Sequence, residues 1–146
     1  MNPMREILFR GKMDNGEWMY GSFCMDALEQ FNGLCGVDGF IRLYDKAKGK
    51  MQTYEVDRET VGQYTGKTDK NKKRVFDGDI IRMFDAKPPF DVGVVQWDDH
   101  DQCYVVRSTW SEKCHLTDFG NLGRPEYFEV IGNIHDNPEL LKGGEG

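Results

Sequence analysis

Apolar positions along this chain come in short runs separated by turn residues, and most of the runs alternate with polar positions. Two apolar runs, Val61 to Thr65 and Ile80 to Phe84, flank a long polar excursion that holds a single apolar pair, Val75-Phe76. The runs read as strands and the excursion as exposed turns. Upstream, Met4 to Arg10 reads as a first strand, with Ile7 and Phe9 on one face and Glu6, Leu8 and Arg10 on the other. Asp14-Asn15-Gly16 is a turn, since Asn and Gly tolerate positive φ, and Glu17 to Cys24 returns as a second strand. Met25 to Phe31 spaces its apolar residues as one or two helical turns do, ended by Asn32-Gly33. Phe40 to Tyr44 and Met51 to Val56 form a second hairpin around a polar turn from Asp45 to Lys50, and Asp57 to Thr60 forms one further turn.

Beyond the central stretch, Lys87-Pro88-Pro89 imposes an extended connection. Asp91 to Trp97 and Gln102 to Arg107 read as paired strands around the turn Asp98 to Asp101. Ser108 to Pro125 reads as loop, and Tyr127 to Ile134 as a last strand. Asn137 then caps a short helix with Pro138 in its first turn, stopped by Gly143-Gly144. Short strands with Gly, Asn and Asp turns give a mainly β (all-β or α+β) fold. The expected organisation is an N-terminal β subdomain over residues 1–57 and a C-terminal small barrel over 58–146 that ends in a helical turn. Gly78-Asp79-Ile80-Ile81 followed by Gly93-Val94-Val95 resembles the opening strands of SH3-like barrels.

Composition narrows the function classes. At 146 residues the chain buries a core without needing a metal or a disulfide staple. Lys+Arg 19 against Asp+Glu 25 gives a net charge of −6, which weighs against non-specific binding to nucleic acid or anionic membrane. No apolar run approaches a membrane span, and Met1 to Phe9 has no secretory apolar core. The expectation is a cytoplasmic protein whose cysteines, Cys24, Cys35, Cys103 and Cys114, are reduced.

Candidate chemistry is sparse. Cys103, Cys114, His100 and His115, with Asp98, Asp99 and Asp101, lack the close ligand pairs of structural zinc. Asp69-Lys70-Asn71 copies the first letters of a calcium loop, but Ile80 stands where a bidentate Glu is needed. No G-x-S-x-G elbow and no Walker or dinucleotide fingerprint occurs. The expectation is a non-enzyme with no cofactor and no metal. Lys67, Lys70, Lys72, Lys73 and Arg74 form a basic run suited to a phosphate backbone, flanked by Tyr64 and Phe76 for stacking. The plainer reading, a solvated turn whose lysines protect a strand edge, ranks above it. Of the aromatic residues Trp18, Tyr20, Tyr64, Phe76, Trp97, Tyr104, Trp110 and Tyr127, most belong in the core, and any left exposed mark a subunit interface.

Three blocks of sequence carry a resemblance. They are Arg5 to Lys12 with Gly16-Glu17-Trp18-Met19-Tyr20-Gly21; Thr60 to Gly66 with Asp69-Lys70-Asn71 and Asp77-Gly78-Asp79-Ile80; and Glu129 to Ile134 with Asn137-Pro138-Glu139-Leu140-Leu141. In this order they resemble the YopX-like phage and prophage proteins. Residues 25–50 and 98–126 carry little of it. The chain departs from the family pattern at Asn71-Lys72, where Asn-Gly is common, and at Asp77, where Glu is usual. The resemblance implies a mainly β protein with an SH3-like C-terminal half, self-association, a phage or prophage source and an intracellular setting. It implies no activity and carries over no catalytic or ligand residue. The resulting expectation is a self-associating interaction protein, with another phage or host macromolecule as further partner and no membrane. Nucleic-acid binding through loop 67–74 is the alternative.

Overall fold

The structure is a computed structural model that describes residues 6–24, 39–84, 91–108, 115–118 and 127–142. The chain divides into two compact units, Met1–Tyr64 and Thr65–Gly146. The first holds β1 (Phe9–Lys12), β2 (Trp18–Cys24), β3 (Gly39–Asp45) and most of β4 (Lys50–Thr68). These pair antiparallel in sequence order, and β4 pairs β1 again, so each of the four strands has two strand neighbours. Val56 faces Gly39 on β3, and Asp57 faces Lys12 on β1. β4 therefore changes partner between Val56 and Asp57. The turn expected at Asp57–Thr60 exists as an irregularity inside the strand. Asp57 Oδ1 accepts the Glu59 N–H (3.0 Å), and the Thr60 hydroxyl donates to the Asp57 carbonyl while accepting the Lys12 N–H (2.8 Å).

Ile41 and Val56 are buried inside this ring. Gly11 lets β1 close onto them, since a Cβ there would lie 2.6 Å from Val56 Cγ2. The first strand starts at Phe9, later than the expected Met4, because the ladder begins at the Phe9–Gly21 pair and leaves Ile7 exposed.

The second unit holds β5 (Arg74–Phe76), β6 (Asp79–Met83), β7 (Val92–Asp98), β8 (Cys103–Ser108), β9 (His115–Asp118) and β10 (Phe128–Asn133). Five of them form an antiparallel sheet in the order β10-β6-β7-β8-β9, and β5 pairs the end of β4. Val75, Ile81, Met83, Val95, Val106 and Phe128 form its core. Ile80 and Val94 face each other on the opposite side of the sheet and are buried as well. Consecutive apolar pairs such as Ile80-Ile81 and Val94-Val95 are what a strand covered on both faces requires.

The mainly β expectation is thus met. The pairings form an open order from β10 to β9 among the described residues, and the closure that would make an SH3-like barrel is not among them. β9 lies in the stretch read as loop, because His115-Leu116-Thr117-Asp118 offers one apolar residue in four and no alternation. The C-terminal helix is a 3-10 helix, Pro138–Lys142, and its Leu140 N–H donates to the Asn137 carbonyl three residues back. The Asn137 side chain turns backward: its Oδ1 accepts the Asn133 N–H (3.3 Å), and a Cβ at Gly132 would lie 2.6 Å from that oxygen. The helical turns expected at Met25–Phe31, the extended Lys87–Pro89 segment and the Gly143-Gly144 stop lie outside the described residues.

Between β4 and β5 the chain reverses through Asn71-Lys72, and Lys72 takes φ 63°. An L side chain in that region costs roughly 1–2 kcal/mol, whereas glycine gives up about 0.5–1 kcal/mol of chain entropy. Replacing Lys72 with glycine is therefore expected to raise stability by about 0.5 kcal/mol, read as a higher urea midpoint with an unchanged m-value. A lower midpoint would show that the lysine side chain contributes more than the backbone strain costs.

Candidate functional site

The basic run expected to meet a partner is a tightly organised turn. Asp69 stands at its start, only 1% exposed. Its Oδ1 accepts the N–H groups of Asn71 (2.8 Å) and Lys73 (2.9 Å), and its Oδ2 accepts the Val130 N–H of β10 (2.9 Å). The backbone adds Lys72 N–H to the Asp69 carbonyl, Asp69 N–H to the Lys73 carbonyl, and Lys70 N–H to the Phe128 carbonyl. Successive N–H groups in a right-then-left-handed turn form a concavity that attracts anions. Here the chain's own carboxylate fills it.

Of the five cations, Lys70, Lys72, Lys73 and Arg74 are exposed and Lys67 is partly buried. The Lys70 ammonium lies 3.3 Å from Glu129 Oε2 and 4.7 Å from the centre of the Phe84 ring. Tyr64 and Phe76, which the nucleic-acid alternative would use for stacking, are both buried, as the core reading of the aromatic residues expects. Phe84 stands there instead. It follows directly on the end of β6 and is 46% exposed.

A second polar cluster is the β7–β8 turn. His100 is exposed, its Nδ1 lies 3.0 Å from Asp101 Oδ1, and its pKa is raised above 6.5. The hydrogen bond to Asp101 is the main cause, followed by the negative charges of Asp101 and Asp98. Cys103 faces Asp98 across the hairpin and is partly buried. Cys114 and the side chain of His115 lie outside the described residues. Among the described residues no group of three or more His, Cys, Asp or Glu is arranged to hold a metal. No helix among them is long and apolar enough to cross a membrane.

Large apolar side chains stand exposed in groups. On the first unit, Tyr44 and Met51 are cross-strand partners, 57% and 46% exposed, with exposed Tyr20 on β2. On the second, Phe84 and Tyr127 are both 46% exposed, and the Phe84 N–H donates to the Tyr127 carbonyl. Trp97 meets Tyr104 edge-on at 5.2 Å and donates its indole N–H to Asp99 Oδ1. Trp18 is partly buried, with Arg10 stacked 4.8 Å from its ring centre.

The family model described as "YopX protein" matches residues 8–142. The chain belongs to the YopX family. No curated protein matches it significantly. Among solved structures, the crystal structure of protein EF1440 from Enterococcus faecalis is similar over 95% of this chain and 100% of that one, at 20% identity with a TM-score of 0.44. The blocks that carry the YopX resemblance build the fold. Asp69 organises the basic turn. Gly78, at φ 94°, donates its N–H to the Val95 carbonyl, and buried Asp79 accepts the Phe76 N–H (2.8 Å).

Two predictions follow from these turns. Asp69→Ala leaves three backbone N–H groups without their acceptor, at about 1 kcal/mol each. The variant should lose about 3 kcal/mol in urea unfolding, and a loss below about 1 kcal/mol would show that water replaces the carboxylate. His100 should titrate by NMR above 6.5 and drop on Asp101→Asn. Its raised value places any stabilising contribution below pH 6.5, to be lost as pH rises through the folded-state pKa. An unshifted titration in the wild type would remove that contact.

Proposed function

We propose that this YopX-family chain is a non-enzymatic, phage-derived interaction protein that assembles with copies of itself in the host cytoplasm and takes another phage or host macromolecule as a further partner. One observation carries the reading: exposed aromatic and sulfur side chains occur in adjacent pairs, the cross-strand pair Tyr44–Met51 and the pair Phe84–Tyr127 joined by a backbone hydrogen bond just beyond the β6–β10 ladder. Single exposed apolar residues are ordinary on a protein surface, whereas grouped ones favour burial against a partner. Tyr and Phe also supply large contact area at low conformational cost, which suits interface anchors.

The basic turn supports this reading better than the nucleic-acid alternative. Its anion-attracting concavity is filled by Asp69, and Lys70 is already beside Glu129. Lys72, Lys73 and Arg74 remain exposed, and they are the residues through which a phosphate backbone would be met.

Light scattering coupled to size exclusion tests both. The expected result is a discrete oligomer at rising concentration, indifferent to added single- or double-stranded nucleic acid. A monomer at every concentration overturns self-association. A shift that appears only with nucleic acid, and only at low salt, would assign the function to Lys72, Lys73 and Arg74 instead.

A further inference from the structure

We propose that the outer surface where β6 ends and β10 begins, centred on Phe84 and Tyr127 just beyond the paired strands, docks on the same surface of a second copy of this chain across a two-fold axis. The inference rests on the self-association reading and names the surface that performs it.

Register places the residues. Met83 pairs with Phe128, and both side chains enter the core. The neighbouring ladder pair, Arg82 opposite Glu129, therefore points outward, and just beyond the ladder Phe84 and Tyr127, joined by the Phe84 N–H bond to the Tyr127 carbonyl, are each 46% exposed. The β4–β5 turn adds Lys70 to this face, its ammonium over the Phe84 ring and beside Glu129. At the β7 side, Arg82 Nε lies 4.0 Å from Asp91 Oδ2. The face is thus two half-exposed aromatic rings with one ion pair at each side.

Charge complementarity selects the occupant. A polyanion would meet Glu129 and Asp91 as well as the two cations, and an acidic or basic peptide would find half the rim repulsive. A second copy related by a two-fold axis presents the same two rings and the same charges in reverse order. Each cation of one copy then has a carboxylate to face in the other, as a self-complementary contact requires. The rings would carry most of the affinity, since exposed ion pairs contribute little and chiefly set register. The anchor is preformed as well: Asp69 holds the turn that delivers Lys70, so docking does not have to order it.

Phe84→Ser, Lys70→Glu and Asp91→Lys test the proposal in the full chain, with a thermal melt to confirm that each variant folds. Phe84→Ser is expected to weaken the dimer dissociation constant roughly tenfold or more. Lys70→Glu and Asp91→Lys should each be largely monomeric where wild type is dimeric, because the two-fold then brings like charges together twice. Mixed in equal amounts, Lys70→Glu and Asp91→Lys should form a heterodimer, because under the reversed order position 70 of one copy faces position 91 of the other and the two reversed charges then complement each other. A pairing confined within one copy could not be rescued by mixing. A wild-type oligomer unchanged by Phe84→Ser, or charge variants that stay monomeric when mixed, overturns this surface while leaving self-association intact. Matching Tyr44→Ser and Met51→Ser variants would then report whether the first unit carries it. A wild-type monomer overturns both readings.

Discussion

The carboxylate of Asp69 is the contact on which the central turn, and the surface beside it, depends. A buried charge is costly unless hydrogen bonds replace the water it loses. Here three backbone N–H groups do so, divided between the two oxygens. One oxygen fixes the reversal from β4 to β5, and the other reaches Val130 on the outer edge of β10. Together with the Lys70 N–H bond to Phe128, the turn behaves as a strand neighbour to an edge that would otherwise stay open. The side chains of Lys70, Phe84 and Glu129 come together as a result of that backbone arrangement.

The same device recurs at other reversals. Asn15, Asp45, Asp57, Asp98 and Asn133 each accept a backbone N–H two or three residues ahead. Asp and Asn do this better than other side chains because their short oxygen reaches back to the turn. Part of the acidic excess is therefore architectural. A whole-chain charge of −6 mixes carboxylates that hold turns with those that face solvent, and it says little about what any one surface attracts.

The sequence made the strands legible where alternation and turn residues coincided: the β1–β2, β3–β4 and β7–β8 hairpins and the strand β10. It failed at β9, where four residues carry too little pattern, and at β4, where Asp57–Thr60 resembles a break but the strand continues on a new partner. The basic run was legible as composition, but its meaning was not. Lysine spacing cannot show that Asp69 points inward or that Lys70 meets Glu129, since both depend on β10, some sixty residues away in the chain. Tyr64 and Phe76 could be placed beside the basic run for stacking or in the core with the other aromatic residues, and both lie in the core. In a strand the partner face, rather than the neighbours in sequence, decides burial.

The ring in the first unit constrains the order in which its strands can pair. β1 is bonded on one side to β2, its near neighbour, and on the other to β4, from the opposite end of the unit. A chain emerging amino-terminus first exposes β1 and β2 long before Gly62 and Gln63 arrive to close the ring. Until then the second edge of β1 has no strand to pair with, and the loop entropy of bringing β4 back must still be met.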